Sequence, residues 1–270
     1  MFFSRFSPTI DTAGKQRIVS PLSFTMALSI LPLLTQAVSR LVFPAVCHLC
    51  GEKLDLLESV LCRSCSGKLH VLEGAVCRTC SRPIPPFGRN GNKCGPCRNT
   101  RIFVTSVTAV VPFDQIHRSL LHAVKFRKKR WILNLYEPLI KQKLARTDFK
   151  EVDVIIPVPI DGIRRRVREF NQAKDFAGII ASTLAKPVLA GSLKRRMGFR
   201  PQSTLKQKER LQNIRNQFYA RNARKFKGKS VLLVDDILTT GATLNECAAV
   251  LLKSGARDVR GFVLARAITH

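Results

Sequence analysis

Eight cysteines stand in four identical pairs, Cys47-x-x-Cys50, Cys62-x-x-Cys65, Cys77-x-x-Cys80 and Cys94-x-x-Cys97, with gaps of 11, 11 and 13 residues between pairs. A Cys-x-x-Cys turn offers two thiolates to one ion, and Zn²⁺ takes four such ligands in a tetrahedron. Four pairs therefore read as two closed structural zinc sites with no position left for a substrate. Disulfides compete as an explanation, but a redox framework has no need of four identical spacings. Iron–sulfur ligation is a smaller alternative. Ala45-Val46-Cys47-x-x-Cys50 returns thirty residues later as Ala75-Val76-Cys77-x-x-Cys80. That duplication argues for sequential pairing, the first four cysteines on one ion and the last four on the other. Spacing alone leaves cross-braced pairing open. His48 and His70 are surplus to the four-ligand count.

A second constellation lies near the C-terminus, in SVLLVDDILTTGATLNECAAVLLKSGA from Ser230. Val231 to Val234 form a wholly apolar run, the mark of a strand buried on both faces of a parallel sheet. Asp235 and Asp236 follow it, and Thr239-Thr240-Gly241-Ala242-Thr243 leads into a helix with Leu244, Ala248 and Leu251 on one face. Adjacent carboxylates can accept hydrogen bonds from the vicinal hydroxyls of a ribose. The Thr/Gly loop offers backbone N–H groups, hydroxyls and the positive end of a helix dipole to a phosphate monoester. The loop that follows the strand holds no Gly-Lys-Ser/Thr, so it is no triphosphate P-loop. The parts fit a ribose 5-phosphate. Cys247 falls on the buried face of the helix and reads as core.

Charge adds a further constraint. The 270 residues carry 46 Lys+Arg against 18 Asp+Glu, a formal charge of +28. Such an excess calls for a polyanionic partner, a phosphorylated substrate, or both. Hydrophobic residues at 45% exclude a disordered chain. Residues 191–230 hold thirteen Lys/Arg against the single acid Glu209. Two other basic runs are Lys125–Trp131 and Arg164–Arg168. Basic stripes with Phe126, Trp131, Phe170 or Phe199 to stack bases would suit nucleic acid; a merely solvated basic surface explains them equally well.

VLLVDDILTTGAT resembles the phosphoribosyl pyrophosphate (PRPP) signature of type I phosphoribosyltransferases. With the zinc knuckles in front, the arrangement from about Leu31 onward resembles the ComF family. Further matches are Val110–Phe113, Leu120–Phe126, Val154–Pro159, Phe170-Asn171-Gln172, and Pro201-Gln202 with Arg210 and Asn213. The resemblance implies an α/β, type I phosphoribosyltransferase-like fold: a mainly parallel sheet flanked by helices, preceded by a small double zinc ribbon. It implies that Asp235 and Asp236 hold the ribose hydroxyls and that Thr239, Thr240, Gly241, Ala242 and Thr243 hold the 5-phosphate. The turn at Pro157, Val158 and Pro159 would be the pyrophosphate loop, and the basic segment to about Gln217 the mobile loop that closes over PRPP. Mg²⁺ would accompany PRPP. The other implied partners are single-stranded DNA and a competence helicase. Glu169 stands where family members often carry Gly, adding bulk and negative charge beside the departing pyrophosphate.

Around these residues the expected organisation is a weakly ordered tail at 1–30, a helix plus double zinc ribbon at 31–100, and the transferase-like domain at 101–270. Strands near Val152–Pro157, Val231–Asp235 and Val259–Leu264 should form the centre of the sheet, with a crossover helix from Asn171. Residues 101–113 should start a hood over the ligand face. The run Pro21–Ala37 is too broken by polar residues to span a bilayer. Preceded by Arg5, Lys15 and Arg17 it admits a signal-peptide reading, but an amphipathic helix is preferred because the thiolate knuckles suit a reducing compartment. A cytoplasmic protein is expected.

Overall fold

The computed structural model describes residues 45–55, 58, 60–84, 93–99, 101–127, 129–160, 170–196 and 216–268. The expected tail, the Pro21–Ala37 helix, the Arg164–Glu169 segment and the basic loop at 197–215 lie outside the described residues. Two compact units divide the chain, Met1–Cys65 and Ser66–His270. The second group of four cysteines thus belongs to the same unit as the sheet.

In the first unit a knuckle is closed by Gly51 N donating to Cys47 O (2.9 Å) and Cys47 N to Glu52 O (2.7 Å), and Leu54 N reaches back to Ala45 O (2.9 Å). The one-turn helix α1 (Arg63–Ser66) carries Cys65. Arg63 N at its start donates to the Glu58 carboxylate (2.6 Å).

The second unit repeats that knuckle bond for bond. Ser81 N donates to Cys77 O (2.7 Å), Cys77 N to Arg82 O (2.7 Å) and Ile84 N to Ala75 O (2.9 Å). Gly51 has φ +77°, and its counterpart Ser81 adopts φ +53°, a conformation that costs a non-glycine residue. The serine is held there by its surroundings: Oγ donates to Val107 O (2.6 Å) and accepts from Ala109 N (3.1 Å), stitching the knuckle to the sheet. Helix α2 (Gly95–Arg98) completes this ribbon.

The sheet itself comprises β1 (Val107–Pro112), β2 (Val154–Pro157), β5 (Ser230–Leu238) and β6 (Asp258–Arg266), in the order β1-β6-β5-β2 and parallel throughout. A separate hairpin pairs β3 (Leu193–Arg195) with β4 (Phe218–Ala220). Helices α3 (Gln115–Phe126), α4 (Glu137–Ala145), α5 (Gln172–Leu184) and α6 (Ala242–Lys253) complete the order. The mainly parallel, helix-flanked sheet and the crossover helix after Asn171 are as expected.

Residues 101–113 differ from expectation. The segment Val107–Pro112 is an edge strand of the main sheet, not the start of a hood. Its side chains are almost wholly buried, and it registers on β6 with Val107 opposite Gly261. A Cβ at Gly261 would come within 2.7 Å of Leu244 and 3.0 Å of Val107, so the missing side chain lets strand and helix close over it.

Alternation along the strands sends Val231 and Leu233 into one core layer with Leu244, Ala248 and Leu251 of α6 and with Leu193 and Phe218 of the hairpin. Leu232 is buried on the opposite face. There, α5 packs on β2 and β5, with Phe176 edge-on to Tyr136 at 6.3 Å. The chain leaving β2 thus enters a helix on one face, and the chain leaving β5 enters a helix on the other. Such a reversal opens a crevice at the carboxyl ends of the two strands.

Candidate functional site

Both halves of the crevice come from the segments singled out in the sequence. At the end of β2, Pro157 pairs with Val234, and Val158 N donates to Val234 O (2.8 Å). Asn171 fastens the same turn: Nδ2 donates to Val158 O (2.9 Å) while Oδ1 accepts from Ala173 N (3.1 Å), capping α5. Pro157, Val158 and Pro159 are therefore held beside the acid pair by a strand register and a cap.

Strand β5 runs further than the apolar stretch suggested. Asp235 pairs with Val263, Ile237 with Ala265 and Leu238 with Arg266, so the carboxylates sit within the strand. Period-two geometry turns them to opposite faces. Asp236 meets Lys125 of α3, Oδ2 to Nζ 2.5 Å. Asp235 lies on the α6 side. Burial, and then the negative charge of Asp236, push its carboxyl up to about 7, against the opposing pull of the Asp236 N–H and of the Lys125 and Arg195 charges.

Beyond Leu238 the loop turns through exposed Thr239 and Thr240 to Gly241, at φ +82°, which precedes α6. Thr240 Oγ1 accepts from Ala242 N (3.4 Å). The glycine is required by the left-handed backbone, which brings the first amides of α6 round to the mouth of the crevice. Cys247 is fully buried, and burial raises its thiol far above the ordinary range, in keeping with a core role.

The cysteines gather as two sets, Cys47, Cys50, Cys62 and Cys65, and Cys77, Cys80, Cys94 and Cys97. Within each set the sulfurs lie within 4.8 Å of one another. The pairing is sequential. Cys50 Sγ is 3.7 Å from Cys62 Sγ, and Cys80 Sγ is 3.6 Å from Cys94 Sγ. A tetrahedral Zn–S₄ site with bonds near 2.3 Å sets sulfurs about 3.8 Å apart.

The electrostatics of the sets fit a divalent cation. Burial raises the Cys47 thiol, but the N–H groups of Cys50, Cys62 and Leu49 outweigh it and bring the group down to about 6. Cys77 is likewise lowered to about 7, where burial is outweighed by the N–H groups of Cys94, Cys80 and Thr79. Within the same sets Cys65 is pushed up to about 12, and Cys97 also upward, by burial and by neighbouring sulfurs. Four thiolates cannot share so small a space without a positive ion between them. The residues fit zinc.

Sequence reasoning missed two polar residues that tie this unit together. Lys125 was legible only as part of a basic run, and its ion pair with Asp236 depends on how α3 crosses the sheet. Arg266 ends the apolar strand β6. It is 3% exposed and donates from Nη1 to Leu238 O (2.8 Å), Thr239 O (2.6 Å) and Ala267 O (3.0 Å). Its one sequence signal is an arginine closing an otherwise apolar run.

Residues 137–269 match the phosphoribosyl transferase domain model, and residues 38–98 match the double zinc ribbon domain model. Competence protein F of Haemophilus influenzae is 30% identical over 179 residues, covering 64% of this chain and 78% of that protein. Competence protein ComFC of Bacillus subtilis is 26% identical over 180 residues, 63% of this chain and 72% of that protein. DNA utilization protein YhgH of Salmonella typhi is 28% identical over 187 residues, 68% of this chain and 82% of that protein. Among the described residues, no helix is long and apolar enough to cross a membrane.

Proposed function

The chain belongs to the competence protein F (ComF) family, and on that premise we propose that it binds PRPP and, with Mg²⁺, transfers the phosphoribosyl group to a nitrogen acceptor, releasing pyrophosphate. The observation that carries this reading is the crevice between β2 and β5. Two adjacent carboxylates, a Thr/Gly loop and the turn at Pro157–Pro159 all stand at the carboxyl ends of these strands.

Asp235 and Asp236 accept from the ribose hydroxyls. Thr239, Thr240, Gly241, Ala242 and Thr243 take the 5-phosphate on backbone amides and hydroxyls at the start of α6. The turn at Pro157, Val158 and Pro159 receives the pyrophosphate. Mg²⁺, when bound with PRPP, supplies neutralising charge for the leaving group. The chain contributes orientation and fixed dipoles, and the basic segment from 191 to about Gln217 supplies further positive charge as the C1–O bond breaks. The two zinc ions are structural, because each cluster is saturated by protein ligands.

Calorimetric titration of the zinc-loaded protein with PRPP and Mg²⁺ tests the reading, with Asp235→Ala/Asp236→Ala as control. Binding by the wild type alone upholds the pocket and leads to a screen of acceptors for pyrophosphate release. No binding by a folded, zinc-loaded wild type would sink it.

A second reading, a non-catalytic or PRPP-sensing factor that handles single-stranded DNA in DNA uptake beside a helicase, is favoured by one surface feature. Phe126 and Trp131 are 60% and 46% exposed amid Arg127, Lys129 and Arg130. Lys129 lies over the Trp131 ring at 5.8 Å. Exposed aromatic rings among cations suit stacked bases and a phosphate backbone. The expected signature is affinity for single-stranded DNA that falls steeply with salt. Weak binding without a salt slope counts against it. A cytoplasmic location accords with either reading.

A further inference from the structure

Arg266 makes a contact that neither the phosphate loop nor the metal cluster explains by itself. While Nη1 holds the carbonyls of Leu238 and Thr239, where the loop begins, Nη2 lies 3.8 Å from Cys80 Sγ. A guanidinium is always charged, and one so deeply buried needs an opposite charge nearby. Its carbonyl partners are dipoles, and the sulfur it reaches, Cys80 Sγ of the second cluster, becomes anionic when the cluster takes up a metal. Four thiolates around one divalent ion carry a net charge of about −2. Four protonated thiols carry none.

We infer that Arg266 is a positioning residue that couples the second thiolate cluster to the Thr239–Thr243 loop, so that metal occupancy of that cluster sets the loop's affinity for phosphate. This rests on the PRPP reading of the loop. With metal in place, the cluster supplies the counter-charge that keeps Arg266 inside and the loop carbonyls bonded. Without metal, the guanidinium loses its anion and moves toward water, releasing Leu238 O and Thr239 O and letting the loop relax. The ribbon is suited to this because it is part of the sheet's own unit: Ser81 pins its knuckle to β1 while Arg266 approaches from β6. Coupling of this kind is reciprocal, so phosphate on the loop must also be felt at the metal.

The full chain with both clusters loaded with Co²⁺ tests the coupling, because thiolate–cobalt absorption bands respond to hydrogen bonds on sulfur. Saturating PRPP with Mg²⁺ should shift the bands of one cobalt site in the wild type. Arg266→Met should abolish that shift and weaken PRPP binding tenfold or more with two metals still bound. Arg266→Lys keeps the charge but not the fork, and should recover part of the affinity. Cys94→Ser, which strips the second metal, should weaken PRPP binding as Arg266→Met does, and Cys62→Ser, which strips the first, should not. Unchanged PRPP affinity and cobalt bands in Arg266→Met would overturn the inference. Should the wild type bind no PRPP, the PRPP reading fails separately. The ligand-free bands then decide: a shifted spectrum in Arg266→Met upholds the link between Arg266 and the metal, and an identical one overturns it.

Discussion

Lys125 and Asp236 form an ion pair of 2.5 Å across the face of β5, with side chains 15% and 18% exposed, while the neighbouring Asp235 looks to the other face. Adjacent acids of one motif therefore have different electrostatic lives. Asp236 has a cation against it, whereas Asp235 is held up at about 7 by burial and by the charge of Asp236. In the proposed reading Asp235 accepts from a ribose hydroxyl, and an ionised carboxylate accepts more strongly than a protonated one, which ties ligand binding to the protonation of Asp235.

PRPP affinity should fall as pH drops through 7, by about tenfold per pH unit well below that value, because binding must then expel one proton. Calorimetry between pH 6 and 8, in buffers of different ionisation heat, reads both the slope and the proton. Asp235→Asn should lose this Asp235-linked component; an unchanged profile would assign the proton elsewhere. For the free protein the sign is opposite: a raised carboxyl lets the folded state hold its proton longer, so Asp235 lowers stability as pH rises from about 4 to about 7. Asp235→Asn should flatten that decline in urea titrations.

Lys125→Met removes a charge that pulls the Asp235 carboxyl down. The midpoint of the pH–affinity curve should move to higher pH. A midpoint that stays put, in a variant of wild-type stability, would show that the ion pair does not reach Asp235.

Asp235→Ala with Asp236→Ala should abolish measurable PRPP binding and leave both zinc ions and the secondary structure intact. Any affinity for single-stranded DNA should survive, since two fewer carboxylates leave the chain more positive. Loss of DNA binding together with PRPP binding would mean that the two ligands share one site.

Cys62→Ser should release about one zinc per chain and loosen the first unit locally, because structural metal binding is coupled to folding. Metal analysis and amide exchange over residues 45–65 report it. Retention of two zinc ions would contradict the ligand set Cys47, Cys50, Cys62 and Cys65.

Gly241→Ala should cost about 1–2 kcal/mol, the ordinary penalty for a Cβ in a left-handed conformation. The added carbon would sit 3.5 Å from Leu238 Cδ1, so the cost is torsional and not steric. A urea midpoint indistinguishable from wild type would show that the loop adopts a different backbone in solution.

What the chain declares along its length are the features that depend on neighbours in sequence. Four Cys-x-x-Cys turns, a doubled Ala-Val-Cys unit, and an apolar run ending in two acids and a Thr/Gly loop are local patterns. Local geometry suffices to make each a knuckle or a strand–loop–helix, so zinc ribbons and the strand–loop–helix around Gly241 were legible directly. Sequential pairing needed the fold, because either pairing satisfies the same spacings. Tertiary structure alone decided that Val107–Pro112 joins the sheet through Gly261, that Lys125 reaches Asp236, and that Arg266 spans from Cys80 to Thr239. Each of these joins residues far apart in the chain, through strand order and the face to which a side chain turns. Those are properties of the assembled sheet, which no spacing within a single segment encodes.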